Sequence, residues 1–291
     1  MPQHLWNDTE FSTLPDLDGL VYRSNLLGRD RSVINIYGGN TSAKIAQADF
    51  VGRMTRVLYV KASGSDVATM QARDFAALRL DDILPLISRA SMSDEEMVAY
   101  LNQTAFEPGR PRQSIETLLH AFLPFPHVDH SHPDALISLA CTPFGEATAR
   151  KVFGARMAWV DYIRPGFTLS QQIARGVLDH PGVECVVMGK HGLVTWGDTA
   201  RQCYDNTIRI IAEAEDYINA QRQGKAVFGG LKTSSLSRAE REALAAEVLP
   251  VARGLVSAQR SAILSWDDAP ETLDFVSRER APELSQLGAA C

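Results

Sequence analysis

Four of the chain's seven histidines fall between Ser114 and Asp134. They stand in Ser114-Ile-Glu116-Thr-Leu-Leu-His120 and in Pro126-His127-Val-Asp-His130-Ser-His132-Pro-Asp134. A fifth, His191, sits in Met188-Gly-Lys-His191-Gly192-Leu. His130 and His132 are two residues apart in a stretch that reads as a short strand, where residues i and i+2 share a face. Two imidazoles on one face, with a third brought in from elsewhere, hold a divalent metal and leave one coordination position for substrate. Glu116 adds a carboxylate, and a carboxylate beside such a metal moves protons. An isolated His-x-His fits two packed histidines as well as it fits a metal site. The third histidine before a glycine, the upstream glutamate and the small number of histidines shift the balance to metal ligation. His120, one turn after Glu116, is read as structural, as is His127. His4 and His180 are read as loop residues.

Two further stretches suit an anion. Gly38-Gly39-Asn40-Thr41-Ser42 and Ala62-Ser63-Gly64-Ser65 are rows of backbone N–H groups with small side chains. Neither is a Gly-x-Gly-x-x-Gly or a Walker A sequence, and either alone is equally an ordinary turn. No Gly-x-Ser-x-Gly elbow occurs, which leaves serine-hydrolase chemistry without support.

The elements that must position these residues follow from periodicity and punctuation. Val33–Tyr37 reads as a strand running into the first glycine loop, and Val57–Lys61 as a strand running into the second. Two loops should therefore meet at one end of a sheet. Ser114–Phe122 has an apolar i, i+3, i+4, i+7 stripe and reads as a helix ended by Pro124 and Pro126. Val128–His132 should be a strand, Pro133–Cys141 and Gly145–Phe153 helices, and Met157–Val160 a strand. A helix over Ser170–Leu178, a hairpin of Val183–Met188 with His191–Trp196, and a long helix from Asp198 to about Gln223 come next. Ser93-Asp-Glu-Glu96 and Ser237-Arg-Ala-Glu240 are capping boxes that open two more helices. Ala262–Trp266 is read as a strand. The Gly/Ser-rich break after the long helix divides the chain into residues 1–222 and a C-terminal helical extension, 223–291. Several links are too short for parallel crossovers, so an α/β fold with a mixed, mostly antiparallel sheet is expected.

Composition narrows the function. The 291 residues carry a net charge of −6 and are 45 % hydrophobic. That balance predicts no nucleic-acid partner and no anionic membrane. No apolar run reaches membrane-spanning length and no signal peptide is visible, so a cytoplasmic protein is expected. Cys141, Cys185, Cys203 and Cys291 form no Cys-x-x-Cys pair and are read as reduced thiols.

Taken in order, Gly-Gly-Asn-Thr-Ser, Ser-x-Glu-x-x-x-His, His-x-His-Pro, His-Gly-Leu and a long helix resemble the class II aldolase/adducin family over about residues 20–222. Ser-Ile-Glu-Thr-Leu-Leu-His, Pro-His-Val-Asp-His-Ser-His-Pro-Asp-Ala-Leu-Ile and Arg-Pro-Gly-Phe resemble most closely the aldolase half of its bifunctional rhamnulose-1-phosphate aldolase/alcohol dehydrogenase branch. The resemblance implies an α/β/α fold and a homotetramer with active sites at subunit interfaces. It implies Zn²⁺, or another divalent transition metal, on His130, His132 and His191. It implies Glu116 as catalytic acid/base, Glu146 as a second acidic residue, and Asn40, Ser63, Gly64 and Ser114 around a substrate phosphate. The expected reaction is cleavage of a sugar phosphate, L-rhamnulose 1-phosphate first among them. A sugar-phosphate 4-epimerase or a dehydratase is the alternative, and a non-catalytic adducin-like domain a more distant one. No Gly-x-x-x-Gly-x-Gly nucleotide loop is present, so a stand-alone aldolase-type protein or a shortened form of a longer one is expected.

Overall fold

The computed structural model describes residues 2–226 and 228–287. Cys291, read above as a thiol, lies outside them. The chain divides into two compact units, one reaching Ala220 and the other starting at Gln221.

The first unit holds seven strands: β1 (Asn40–Ala48), β2 (Met54–Lys61), β3 (Phe75–Arg79), β4 (His127–Ser131), β5 (Met157–Val160), β6 (Cys185–Met188) and β7 (Gly192–Gly197). They form one sheet in the order β3-β2-β1-β4-β7-β6-β5. Only β5 and β6 run parallel; each other neighbouring pair is antiparallel. This is the mixed, mostly antiparallel sheet that the short links call for. The helices of this unit are α1 (Asp8–Phe11), α2 (Asp16–Arg29), α3 (Leu80–Ile83), α4 (Asp94–Gln103), α5 (Thr117–Phe122), α6 (Asp134–Ala140), α7 (Gly145–Phe153), α8 (Phe167–Leu178) and α9 (Ala200–Arg222). The second unit contains α10 (Arg238–Val256), α11 (Pro270–Val276) and α12 (Ala281–Leu284).

Alternation along the strands sends side chains to two apolar layers. Cys185, Val187 and Leu193 pack with α2, α6, α7 and α9 through Leu27, Leu136, Phe153 and Ile211. On the other face, Val128, Val186, Met188 and Val194 meet Leu119 of α5 and Ile173 of α8. Leu58, Val60, Ala76 and Leu78 pack there with Met97 and Leu101 of α4 and Leu118 of α5. The result is a helix/sheet/helix sandwich.

Two expected strands do not form. Residues 31–38 are turns rather than a strand. Asp30 caps that turn by accepting from Ser32 N and Oγ, and Val33 and Ile34 are buried as turn residues, so their apolar character reports packing and not extension. The first strand instead starts at Asn40, after the glycines. Residues 261–269 are likewise without strand structure; Ile263 there is 96 % exposed, and no strand pairs with the segment. The two capping boxes form as expected, Ser93 with Glu96 and Ser237 with Glu240.

Helix α2 seats closely on the loop after β2. A Cβ on Gly28 would stand 2.3 Å from Ala68 N and 2.6 Å from its Cα, contacts that backbone cannot relieve. Gly28→Ala should therefore destabilise the protein by about 1–3 kcal/mol, read as a lower urea midpoint. An unchanged midpoint would mean that α2 is not seated in this way.

Candidate metal and substrate site

The strand ends that carry the candidate residues all lie at one end of the sheet. β1 starts there with Asn40, β2 ends there with Lys61, and β4 ends there with Ser131. β6 and β7 meet there in the turn that holds His191. Asn40 and His130 are direct partners in the β1–β4 ladder, so their side chains share a face. His132 lies one residue beyond the end of β4. It still joins His130 at the cluster, as the spacing of two suggested. His191 comes from the β6–β7 corner, where Lys190 takes a left-handed φ of 55°.

The three imidazoles converge. Their facing nitrogens all lie within 4.8 Å of one another, and His132 Nε2 is 3.1 Å from His130 Nε2. His130 Nδ1–H donates to the Leu193 carbonyl at 3.0 Å, which fixes the tautomer and leaves Nε2 as a lone pair aimed at the cluster. Two imidazole nitrogens this close need a proton or a cation between them. A tetrahedral ion with metal–nitrogen distances of ~2.0–2.1 Å sets its ligand nitrogens roughly 3.3 Å apart, so the residues present fit a divalent transition metal.

Glu116 is the N-cap residue of α5, which starts at Thr117, three residues later than the expected helix from Ser114 that would have held Glu116 inside it. Its Oε1 stands 3.4 Å from His130 Nε2 and 3.3 Å from His191 Nε2. Burial pushes its carboxyl up, but the His130 and His191 imidazoles outweigh that and hold it well below the usual carboxylate range. His132 is pushed down to about 3, by burial first and then by the neighbouring His130 and His191. An ionised Glu116 and a neutral His132 are what a metal site needs, while Glu116 pulls His130 up toward its charged form against the effect of burial. Asn40 Oδ1, Glu116 Oε1, His120 Nε2 and Ser131 Oγ are buried without hydrogen-bond partners, an unusual concentration of unmet polar atoms for one corner of a fold.

The anion loops reach the same end. Ser63 N donates to Arg112 O at 3.1 Å and Ala62 bridges to Gln113, so the Ser63–Gly64 turn lies against the segment leading to Ser114. Gly64 has a φ of 83°, a conformation that favours glycine. Ser114 is buried, and its Oγ accepts from Glu116 N at 3.2 Å. Gly39 also needs to be glycine. Its φ is 65°, and a Cβ there would stand 2.6 Å from the His130 carbonyl oxygen.

Lys61 was not singled out from the sequence. It is 2 % exposed, and its Nζ donates to the Tyr37 carbonyl at 3.5 Å. Burial pushes its ammonium down, while Glu116 and Asp66 pull it up. The signal was a cation ending an otherwise apolar strand, Val57-Leu-Tyr-Val-Lys61. Tyr37 itself holds a φ of 63°, so two of the non-glycine residues with positive φ, Tyr37 and Lys190, flank the site. Strain of this kind gathers where a site over-determines the backbone.

Glu146 is not brought to the histidines within the chain. It lies on α7, paired with Arg150 at 2.7 Å, and lines a cavity of about 450 Å³ with Phe144, Tyr162 and Lys190, the residue before His191. His127 contacts Arg23 Nη1 through Nδ1 at 2.8 Å. His120 is fully buried, and its Nδ1 contacts Ser42 Oγ at 2.8 Å. Burial first, and then His130, pushes His120 down to about 3. A base whose folded-state pKa lies below its unfolded value of roughly 6.5 binds its proton first in the unfolded chain. His120 should therefore cost stability as the pH falls from that value toward 3, by about 1.4 kcal/mol per pH unit. His120→Asn should flatten that part of a stability–pH curve by this slope. An unaltered curve would show that His120 is not held neutral.

Comparison with known proteins agrees with this geometry. The sequence profile of the class II aldolase and adducin N-terminal domain matches residues 19–218, and that of the aldolase class II second domain matches residues 243–291. The uncharacterized oxidoreductase YuxG of Bacillus subtilis (strain 168) is 52 % identical over 292 residues, covering 100 % of this chain and 42 % of that protein. The chain thus spans less than half the length of this curated relative. The N-terminal class II aldolase domain of a conserved protein from Thermoplasma acidophilum is 40 % identical, with a TM-score of 0.69 over 74 % of this chain and 99 % of that one. A sugar-phosphate aldolase from Thermotoga maritima, 14 % identical, shares the fold with a TM-score of 0.53 over 72 % of this chain and 96 % of its own. A sheet end that gathers three histidines and a buried glutamate, on a chain matched over most of its length, places this protein in the class II aldolase/adducin family.

Proposed function

We propose that this chain is a metal-dependent aldehyde-lyase. It cleaves a ketose 1-phosphate, with L-rhamnulose 1-phosphate the first substrate to try, into dihydroxyacetone phosphate and lactaldehyde. The observation that carries the reading is the Glu116 carboxylate 3.3–3.4 Å from two of three convergent imidazole nitrogens. The preference for rhamnulose phosphate rests on the resemblance of the Ser114–Ile137 stretch and Arg164-Pro-Gly-Phe167 to that branch.

His130, His132 and His191 would hold the metal, zinc by preference since three imidazoles and an open position suit it. When bound, such an ion supplies Lewis-acid stabilisation of the enediolate that remains after carbon–carbon cleavage, worth several kcal/mol in typical cases. Glu116 delivers a proton to the enediolate carbon in the cleavage direction and removes it in the synthetic one. Its carboxylate is ionised in the resting site, as the removal step requires. Asn40, Ser63, Gly64 and Ser114 would hold the phosphate, with Lys61 as the buried cation at the same strand end. These contacts fix the reacting carbon against Glu116. A catalytic part for Glu146 would be played across a subunit interface, since within the chain it pairs with Arg150 on α7. The reading accordingly takes the working form as a cytoplasmic homotetramer.

The test uses the protein with dihydroxyacetone phosphate in D₂O, followed by NMR with and without a chelator. Exchange of one hydroxymethyl proton, abolished by chelation, is expected. Absence of exchange with metal bound would reject the lyase reading in favour of an epimerase or dehydratase. Glu116→Gln should retain metal and lower the exchange rate by about 10²-fold or more. His132→Ala should lose tight metal binding, measured by elemental analysis after gel filtration. Full occupancy in that variant would count against ligation.

A further inference from the structure

Behind the histidines lies a charged pair that the reaction does not use. Arg23 of α2 and Asp129 of β4 are both fully buried. Arg23 Nε donates to Asp129 Oδ1 at 3.1 Å. Its Nη2 donates to the Ser42 carbonyl at 2.7 Å, and its Nη1 contacts His127 Nδ1. Asp129 Oδ2 accepts from Cys203 Sγ at 3.2 Å and from Thr207 Oγ1 at 3.4 Å, both on α9. Thr207 Oγ1 in turn contacts Thr195 Oγ1 of β7 at 2.6 Å.

Stability alone gives poor grounds for such a pair. Removing two charges from water costs several kcal/mol per ion, and apolar replacements of similar volume are often neutral or stabilising. What sets this pair apart is where its bonds go. The Asp129 rung pairs with Thr41 on one side and Thr195 on the other. The next rung is His130, paired with Asn40 and Val194. Arg23 spans the β1–β4 ladder just below the Asn40–His130 rung, and the carboxylate ties β4 through α9 to β7, which starts next to His191. On the opposite face, Ser42 Oγ reaches His120 of α5, the helix that Glu116 caps.

We infer that the Arg23–Asp129 pair is a register lock for the histidine site, a positioning pair acting through His130. Slipping β4 by one residue would turn His130 toward Arg23 and Asp129 into the site, because strand side chains alternate. Only the native register satisfies the guanidinium and the carboxylate together. The pair makes every other register of β4 leave a buried charge unpaired, which is the role best attested for buried polar groups. The inference rests on the reading that His130, His132 and His191 hold a metal.

The test compares zinc affinity, by competition with a chromophoric chelator, and thermal unfolding of the chelator-stripped full chain. Arg23→Met combined with Asp129→Leu removes both charges. This variant should unfold within a few degrees of the wild type and bind zinc at least tenfold more weakly. Arg23→Lys keeps the charge but cannot serve Asp129, His127 and Ser42 at once. It should also weaken zinc binding, and it decides the matter if the double variant does not fold. Wild-type zinc affinity in the folded variants would overturn the lock. So would a loss of affinity that only tracks a fall in the unfolding midpoint. Absence of zinc binding by the wild type would instead reject the metal reading and this inference with it.

Discussion

The Glu116 carboxylate is 9 % exposed, and a buried carboxylate stays ionised only if something nearby compensates it. Here the compensation is positive charge on the imidazoles within 3.4 Å, or a cation held among them. The rest of the site follows from that requirement. His130 must point its Nε2 inward, so its Nδ1 is committed to the Leu193 carbonyl. His191 must reach in from a corner, so the β6–β7 turn places Lys190 in a left-handed conformation. Glu116 must stay at the helix start, and Ser114 Oγ accepts the Glu116 N–H to hold it there.

The sheet makes this convergence inexpensive. Antiparallel neighbours put the start of one strand beside the end of the next. Asn40, Lys61, Ser131 and Gly192 therefore meet at one end although they lie far apart in sequence. The same strands continue into two apolar layers built on Val128, Val186, Val194, Leu193 and Val187. The polar corner is thus a short extension of a well-packed core, and core packing holds its side chains in place. Lys44 extends that support: its Nζ donates to the carbonyls of Leu123 and Phe125, tying β1 to the C-terminal end of the helix that Glu116 caps.

β4 concentrates the conflict between these roles. Of its five residues, only Val128 is apolar. One face carries His130 toward Glu116, and the other carries Asp129 toward Arg23. A strand central in its sheet ordinarily buries hydrophobic side chains on both faces. This one buries the His130 imidazole on one face and the Asp129 carboxylate on the other, and satisfies them with α2, α9 and its two strand partners. Its polarity therefore reflects what it must present, while its place in the sheet is set by its ladder partners and by Val128 against α5 and α8.

The sequence by itself determined the helices opened by capping boxes, α4 and α10, because those signals are local. It determined the fold class too, since linker lengths decide which strands can be antiparallel. It also singled out His130, His132, His191 and Glu116, because few histidines and one well-placed carboxylate leave few combinations. It misread Val33–Tyr37 and residues 262–266, where apolar residues serve turn packing or stand exposed, and β-propensity does not distinguish these from a strand. Only the tertiary structure decided that His191 joins His130 and His132 from the β6–β7 corner, and that Glu146 pairs with Arg150 on α7. It alone brought Lys61 under the Tyr37 carbonyl and Arg23 beneath Asp129, 106 residues away in sequence. Spacing along a chain fixes direction within one element. Which distant side chains then share a dry corner depends on ladder register and on how helices seat against the sheet, and neither is written in any local window.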